Sequence, residues 1–320
     1  MQPPLVKDLF GTNFAGILGR YPLAQAAATD IRRAIAPESE NAVPLERYLR
    51  DQMRDAANLY TKRRYRQIPL YLQDLLLTVS DIGGSGYTTD PDNFNALINR
   101  TLDLDDVLLL TLNYDTLVDD RLFIYGDLQD LNSYVASDPR WALVKLHGSV
   151  NWGRRIIADI NRGIETVNQA NASGRPISQH ELINKLIDTE YDQVSVGEIE
   201  LRLHRSLDEW RYDRSDSVYY PALSIPVGEE DELVCPSEHL AAARERLGRA
   251  DALNILVIGY SGLDREVLQL LRQSGRPAHR LLVVNGSERA SFEAAERIQQ
   301  ACGGSGVRTD SVFRGGFPKS

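Results

Sequence analysis

Four short stretches of this 320-residue chain close an apolar run with residues that can bind or react. They are Asn113-Tyr114-Asp115, His147-Gly148-Ser149, Gly259-Tyr260-Ser261-Gly262 and Asn285-Gly286-Ser287. The second says most. "LVKLHGSVNW" (Leu143 to Trp152) reads as a buried strand that ends in a histidine backed by a glycine. A hydrophobic strand has no use for an imidazole, whereas a site that moves a proton near neutral pH does. The amides, carboxylate, hydroxyls and glycine backbone of the other turns offer hydrogen bonds to a polar ligand. In open parallel sheets, ligands bind at the carboxyl ends of the strands, where such turns gather.

Taken singly, each turn has a plainer explanation. Asp115 precedes the helical "LVDDRLF" and suits a helix N-cap. A lone histidine at a strand end is ordinarily satisfied by backbone, and Gly259 and Gly286 suit tight turns. Four such turns at one edge of one sheet favour a shared site instead.

The elements that must position these turns are legible in outline. Residues 1–104 read as mostly helical, with "VPLERYLRDQMRDAANLY", "IPLYLQDLLLTVS" and "NFNALINRTL" as helices and "DIGGSGYTTDPD" as a loop. Compact aliphatic runs follow at "DDVLLLTLNYD" (Asp105 to Asp115), "ALVKLHG" (Ala142 to Gly148), "NILVIGYSG" (Asn254 to Gly262) and "RLLVVNGS" (Arg280 to Ser287), with "VRTDSVF" (Val307 to Phe313) as a fifth. Such runs are the mark of parallel strands buried on both faces. "LDREVLQLLRQS" and "SFEAAERIQQACG" are the helices between them. Strands alternating with helices predict an α/β fold with a Rossmann-like doubly wound parallel sheet. Its core is 105–152 and 252–320, within a single domain that spans the chain. Residues 153–251 form a helical insertion lobe or lid, in which "EIELRLHRSLDEWRY" fits helix or strand.

Composition narrows the classes. With 42% hydrophobic and 25% charged residues the chain has material for a sizeable core. A net charge of −9 argues against general nucleic-acid binding, and the basic Lys62-Arg63-Arg64-Tyr65-Arg66 reads as a solvated helix face. No apolar run is long enough for a membrane span, so no membrane partner is expected. Two cysteines, Cys235 and Cys302, make neither a disulfide framework nor a four-thiolate zinc site. The expected compartment is the cytoplasm.

The quoted motifs resemble the sirtuin superfamily, specifically the bacterial sirtuin-like domains of antiphage-defence proteins. "TLNYD" is similar to its Thr-x-Asn-x-Asp motif, "LHGSVNW" to its Leu-His-Gly motif, "GYSG" to its Gly-x-Ser loop and "VVNGS" to its adenosine-side asparagine. "YYPALSIPVGEEDELVCPSEHL" (Tyr219 to Leu240) looks like that branch's linking segment. The resemblance implies an NAD+ hydrolase that breaks the nicotinamide–ribose bond, with NAD+ as substrate. It implies His147 as general base toward a ribose hydroxyl and Asn113 as the group holding the ribose or the attacking water. Asp115 would orient the nicotinamide carboxamide. Gly148, Gly259, Ser261 and Gly262 would line the nucleotide, and Asn285 would meet the adenosine ribose. A homo-oligomer or a defence-system protein is the partner it implies.

Two departures shape the expectation. Deacylases of the family carry a four-cysteine zinc; this chain has two cysteines, and Cys235 with His239 reads as packing and capping, so no metal is expected and hydrolysis is favoured over deacylation. The family also opens with a strand and a Gly-Ala-Gly-Ala-Ser-type loop that cradles the pyrophosphate on backbone N–H groups. This chain opens at "MQPPLVKDLF", similar to the segment after that loop. The expectation is a reading frame that begins late, leaving a gap between the strands ending at Asn113 and Gly259. A truncated, inactive protein or a non-catalytic sensor of NAD+ or ADP-ribose is the alternative.

Overall fold

Aliphatic runs become strands and the amphipathic stretches around them become helices in the computed structural model of the chain. It describes residues 9–35, 48–49, 51–52, 59–83, 91–123, 128–157, 165, 168–169, 172–174, 177–178, 181–185, 195–204, 209, 218–224 and 234–303. The architecture is mixed α/β. After a 3-10 turn at Thr12–Phe14 and a one-turn helix at Ala15–Leu18, the elements in chain order are α1 (Pro22–Ile35), α2 (Leu59–Arg66), α3 (Ile68–Gly83), α4 (Pro91–Leu102), β1 (Val107–Thr111), α5 (Leu117–Leu122), α6 (Ser133–Ala136) and β2 (Trp141–Lys145). Then come β3 (Gly148–Ile157), β4 (Ser195–Leu203), β5 (Val218–Leu223), α7 (Ser237–Arg249), β6 (Leu253–Ile258), α8 (Arg265–Ser274), β7 (Ala278–Val284) and α9 (Glu288–Ala301). Two units divide the chain. The first is Met1–Asp103, Thr111–Ser137 and Lys145–Pro236; the second is Leu104–Leu110, Asp138–Val144 and Ser237–Ser320.

The core of the first unit forms around α3. Ile68, Leu70, Tyr71, Leu72, Leu75, Leu77 and Val79 are all buried, so the helix is apolar nearly all round and belongs inside. On α1, Ala24, Ala27, Ala28 and Ile31 are buried at the spacing of one helical face. Burial of a side chain of the Leu or Ile class contributes about 1.5–3 kcal/mol. The polar groups that α3 carries inward are satisfied: Gln73 donates to the Val150 carbonyl at 2.7 Å, and Asp74 accepts from Tyr21 Oη at 2.9 Å and pairs with Arg20 at 3.0 Å. The Gln73 bond fastens α3 to β3, the strand that leaves the His147 turn, and the Asp74 bonds fasten α3 to the residues just before α1. A three-stranded antiparallel sheet in the order β4-β3-β5 completes the unit.

In the second unit β6 and β7 run parallel, with Ile255 opposite Leu281 and Val257 opposite Val283. Local signals set the helices. The Asp264 carboxylate accepts from Val267 N–H at the start of α8, and Gly275 closes that helix at φ 63. Ser287 caps α9 by accepting from Ala290 N–H. β1 and β2 pair in the parallel sense: Val107 N–H donates to the Arg140 carbonyl at their starts, and Leu146 N–H to the Thr111 carbonyl at their ends. The guanidinium of Arg246 on α7 is buried, and it donates to Asp106 at 2.9 Å and to the Pro139 and Trp141 carbonyls at 3.1 Å. Among the described residues no strand joins the β1–β2 pair to the β6–β7 pair, and Leu256 and Ile258 of β6 are exposed.

Two expectations change and one open reading is decided. β2 stops at Lys145 rather than at Gly148, because the chain turns at Leu146-His147 and Gly148, at φ 78, opens a new strand with different partners. "EIELRLHRSLDEWRY" contributes a strand as far as Leu203; Ile199, Leu201 and Leu203 alternate with Glu198, Glu200 and Arg202, a period-two pattern. The described part of 153–251 is therefore not a purely helical lobe, since it carries β4, β5 and the end of β3 beside α7. Val307 to Phe313, and most of "VPLERYLRDQMRDAANLY", lie outside the described residues. Among the described residues no helix is long and apolar enough to cross a membrane.

Candidate functional site

In the first unit the Asn113 and His147 turns lie side by side. Thr111 is the last residue of β1, and its carbonyl accepts from Leu146 N–H at 3.1 Å. The Tyr114 carbonyl accepts from Val150 N–H at 2.9 Å and from Ser149 Oγ at 3.4 Å. The Tyr114 and His147 rings are 6.3 Å apart between centroids, tilted by 32°. Residues 111–115 thus run along residues 146–150, bonded at both ends. Asn113 is exposed and His147 half-buried.

Gly148 makes the close approach possible. A Cβ there would lie 2.0 Å from the Ala222 carbonyl oxygen, and φ is already in the left-handed range. Next to it the His147 carbonyl accepts from Ser224 N–H at 2.8 Å, while Tyr114 Oη donates to the Ser224 carbonyl at 3.3 Å. The end of β5 therefore braces both turns.

Asp115 acts partly as the cap that its position suggests: Oδ1 accepts from Leu117 N–H at 3.0 Å. Burial pushes its carboxyl above the ordinary value, against the pull of the Lys145 ammonium and the Leu117 N–H.

Beneath this turn is a polar network that the sequence reading did not single out. Lys145, fully buried at the end of β2, donates to the Asp115 carbonyl at 2.5 Å and pairs with Asp119 Oδ2 at 2.9 Å. Tyr134 Oη donates to Asp119 Oδ1 at 2.5 Å, and Asn151 Nδ2 donates to Tyr134 Oη at 3.4 Å. Burial, then the Asp119 charge, pushes the Tyr134 phenol well above its ordinary value, so it stays the proton donor. The signal was a lysine inside an otherwise apolar strand, "WALVK"; a buried charge requires a partner.

The second unit holds the other predicted turns. Gly259 N–H donates to the Val284 carbonyl at 2.8 Å, and Asn285 Nδ2 donates to the Tyr260 carbonyl at 3.0 Å and the Ala290 carbonyl at 3.3 Å. The two turns are therefore stitched together, with the nitrogen of the Asn285 amide committed to backbone. Gly262, at φ 73, packs where a Cβ would meet the Ala294 backbone at 3.3 Å, and Arg297 Nη1 donates to the Ser261 carbonyl at 2.7 Å. Asn113, Asp115, His147 and Gly148 thus form one group within the first unit, and Gly259, Ser261, Gly262 and Asn285 another within the second.

Comparison with protein-family models, curated proteins and solved structures returned no match.

Proposed function

We propose that the chain is an NAD+ hydrolase that breaks the nicotinamide–ribose bond, with a role in bacterial antiphage defence. The observation that carries the reading is the pairing of the Asn113 turn with the His147 turn, which puts an amide, a carboxylate and an imidazole on adjacent backbone. The family assignment itself rests on the motif resemblance.

Cleavage of this bond builds positive charge on the ribose, so the protein must hold a polar group or water close to that carbon and balance the charge. His147 takes a proton from a ribose hydroxyl, which makes that oxygen a better electron donor to the cationic centre; an imidazole suits this near neutral pH. Asn113 holds the ribose or the attacking water. Asp115 receives the carboxamide, with one carboxylate oxygen already fixed by the Leu117 N–H. To Gly148 the resemblance assigns a place along the nucleotide; its lack of a side chain lets the turn pack on the Ala222 carbonyl and so holds His147 in place. To Gly259, Ser261, Gly262 and Asn285 the resemblance assigns the nucleotide, and since the Asn285 nitrogen serves backbone, its oxygen is the end for a ribose hydroxyl.

Incubation of the purified chain with NAD+ tests this: nicotinamide and ADP-ribose are expected in equal amounts by chromatography. Calorimetric binding of NAD+ with no product over hours would make the chain a sensor. Neither binding nor product would remove the NAD+ reading.

A further inference from the structure

The Lys145–Asp119 pair is more than a stabilising contact. A buried ion pair is on average no better for stability than apolar residues of the same volume. Its presence at the end of β2 calls for another reason, and the second contact of the ammonium supplies one. Besides Asp119, Lys145 Nζ holds the main-chain carbonyl of Asp115. That carbonyl sits two residues beyond Asn113, and Lys145 itself sits two residues before His147. The carboxylate that fixes the ammonium is fixed in turn by Tyr134 Oη, which receives the Asn151 amide four residues after His147. Four elements therefore converge on one buried charge: the end of β2, the start of α5, α6 and β3. Lys145 and Tyr134 are essentially inaccessible to solvent, so little competing water screens the contact.

We infer that Lys145 is a positioning residue whose ammonium, held by Asp119, grips the Asp115 carbonyl and sets the Asn113–Asp115 turn against the His147 turn. It touches no ligand. The inference rests on the reading of these two turns as the ribose and nicotinamide site. In its absence the turn keeps its backbone bonds at Thr111 and Tyr114 but loses the only side-chain donor seen on the Asp115 carbonyl among the described residues.

The test is the full chain carrying Lys145→Met together with Asp119→Asn. This removes both charges at once, so no ion is stranded, and leaves an amide oxygen for Tyr134. Hydrogen exchange of the Tyr114 to Leu117 amides is expected to rise about tenfold, while β3 amides keep their protection. Nicotinamide release is expected to lose about tenfold in kcat, with KM for NAD+ changed less than about threefold. A purely structural pair would instead lower protection evenly across the unit, or leave both readouts where they were; either result overturns the inference. If the wild-type chain releases no nicotinamide, the NAD+ reading fails by itself, and the exchange pattern alone decides for or against Lys145. Should the double variant not fold, Tyr134→Phe keeps both charges and frees Asp119 by one bond. A local rise of exchange of about threefold at the same four amides is then expected, and unchanged exchange overturns the inference.

Discussion

Replacement of Gly148 by alanine tests the construction of the His147 turn independently of any ligand. Gly148 has φ 78, and an added Cβ would lie 2.0 Å from the Ala222 carbonyl oxygen. Holding alanine in the left-handed region costs about 1–2 kcal/mol. The overlap is with backbone, not with the tip of a flexible side chain, so β5 or the turn must move by about an ångström or more to reach van der Waals contact. Such a shift breaks the bond from Ser224 N–H to the His147 carbonyl and leaves interior groups short of partners, about 1–3 kcal/mol more. The sum is about 2–5 kcal/mol, which for a unit of this size lowers Tm by roughly 4–20 °C. Gly174 is the control: φ is 68, yet nothing lies within 4 Å of its added Cβ, so Gly174→Ala carries only the dihedral cost. Thermal melts of both variants by circular dichroism separate the two contributions. Equal Tm losses for Gly148→Ala and Gly174→Ala would refute the steric part of the reasoning. A Gly148→Ala melt that matches the wild type would refute all of it.

Three other perturbations have definite outcomes. The Asp115 carboxyl is raised above 3.8 in the folded chain, mainly by burial, so the folded state binds that proton more tightly than the unfolded chain. The resulting stabilisation is whole below pH of about 3.8 and is lost as pH rises through the raised value. Asp115→Asn cannot ionise but keeps an oxygen for the Leu117 N–H; in paired melts it is expected to gain on the wild type as pH rises from about 3.5 to about 7, and a gap that moves the other way contradicts the shift. Arg246→Met removes the donor to Asp106, Pro139 and Trp141 and is expected to lower stability by about 2–4 kcal/mol; a denaturation midpoint within error of the wild type would show that water replaces the guanidinium. Cys302 is buried, and burial pushes its thiol up, so a thiol reagent at neutral pH is expected to label it only as the chain unfolds. Fast labelling of the native protein would contradict that environment.

What the sequence discloses follows the range of the interactions involved. β1, β6 and β7 are aliphatic runs, and α8 and α9 carry their own caps in Asp264, Gly275 and Ser287, so local pattern suffices to find them. The chemistry-bearing turns are visible for the same reason: a polar residue directly after an apolar run is a local event. β3 was hidden because "GSVNWGRRII" mixes apolar, aromatic and basic residues, and its strand character comes from antiparallel neighbours at β4 and β5. The Lys145–Asp119 pair spans 26 residues, and no periodicity reports a contact that tertiary packing creates. Asn285 illustrates the converse. A strand-end asparagine reads as a ligand contact, yet its nitrogen is bound to the carbonyls of Tyr260 and Ala290, a fact available only once β6 and α9 are in place.

The most direct measurement is nicotinamide release from NAD+ by the wild-type chain beside His147→Ala and Asn113→Ala, each checked for an unchanged melt. A positioned general base contributes about 10²–10⁴-fold to a rate, so release by His147→Ala is expected to fall at least a hundredfold, with Asn113→Ala also near background. Turnover that survives in both variants would contradict the assignment of these two turns to the reacting ribose.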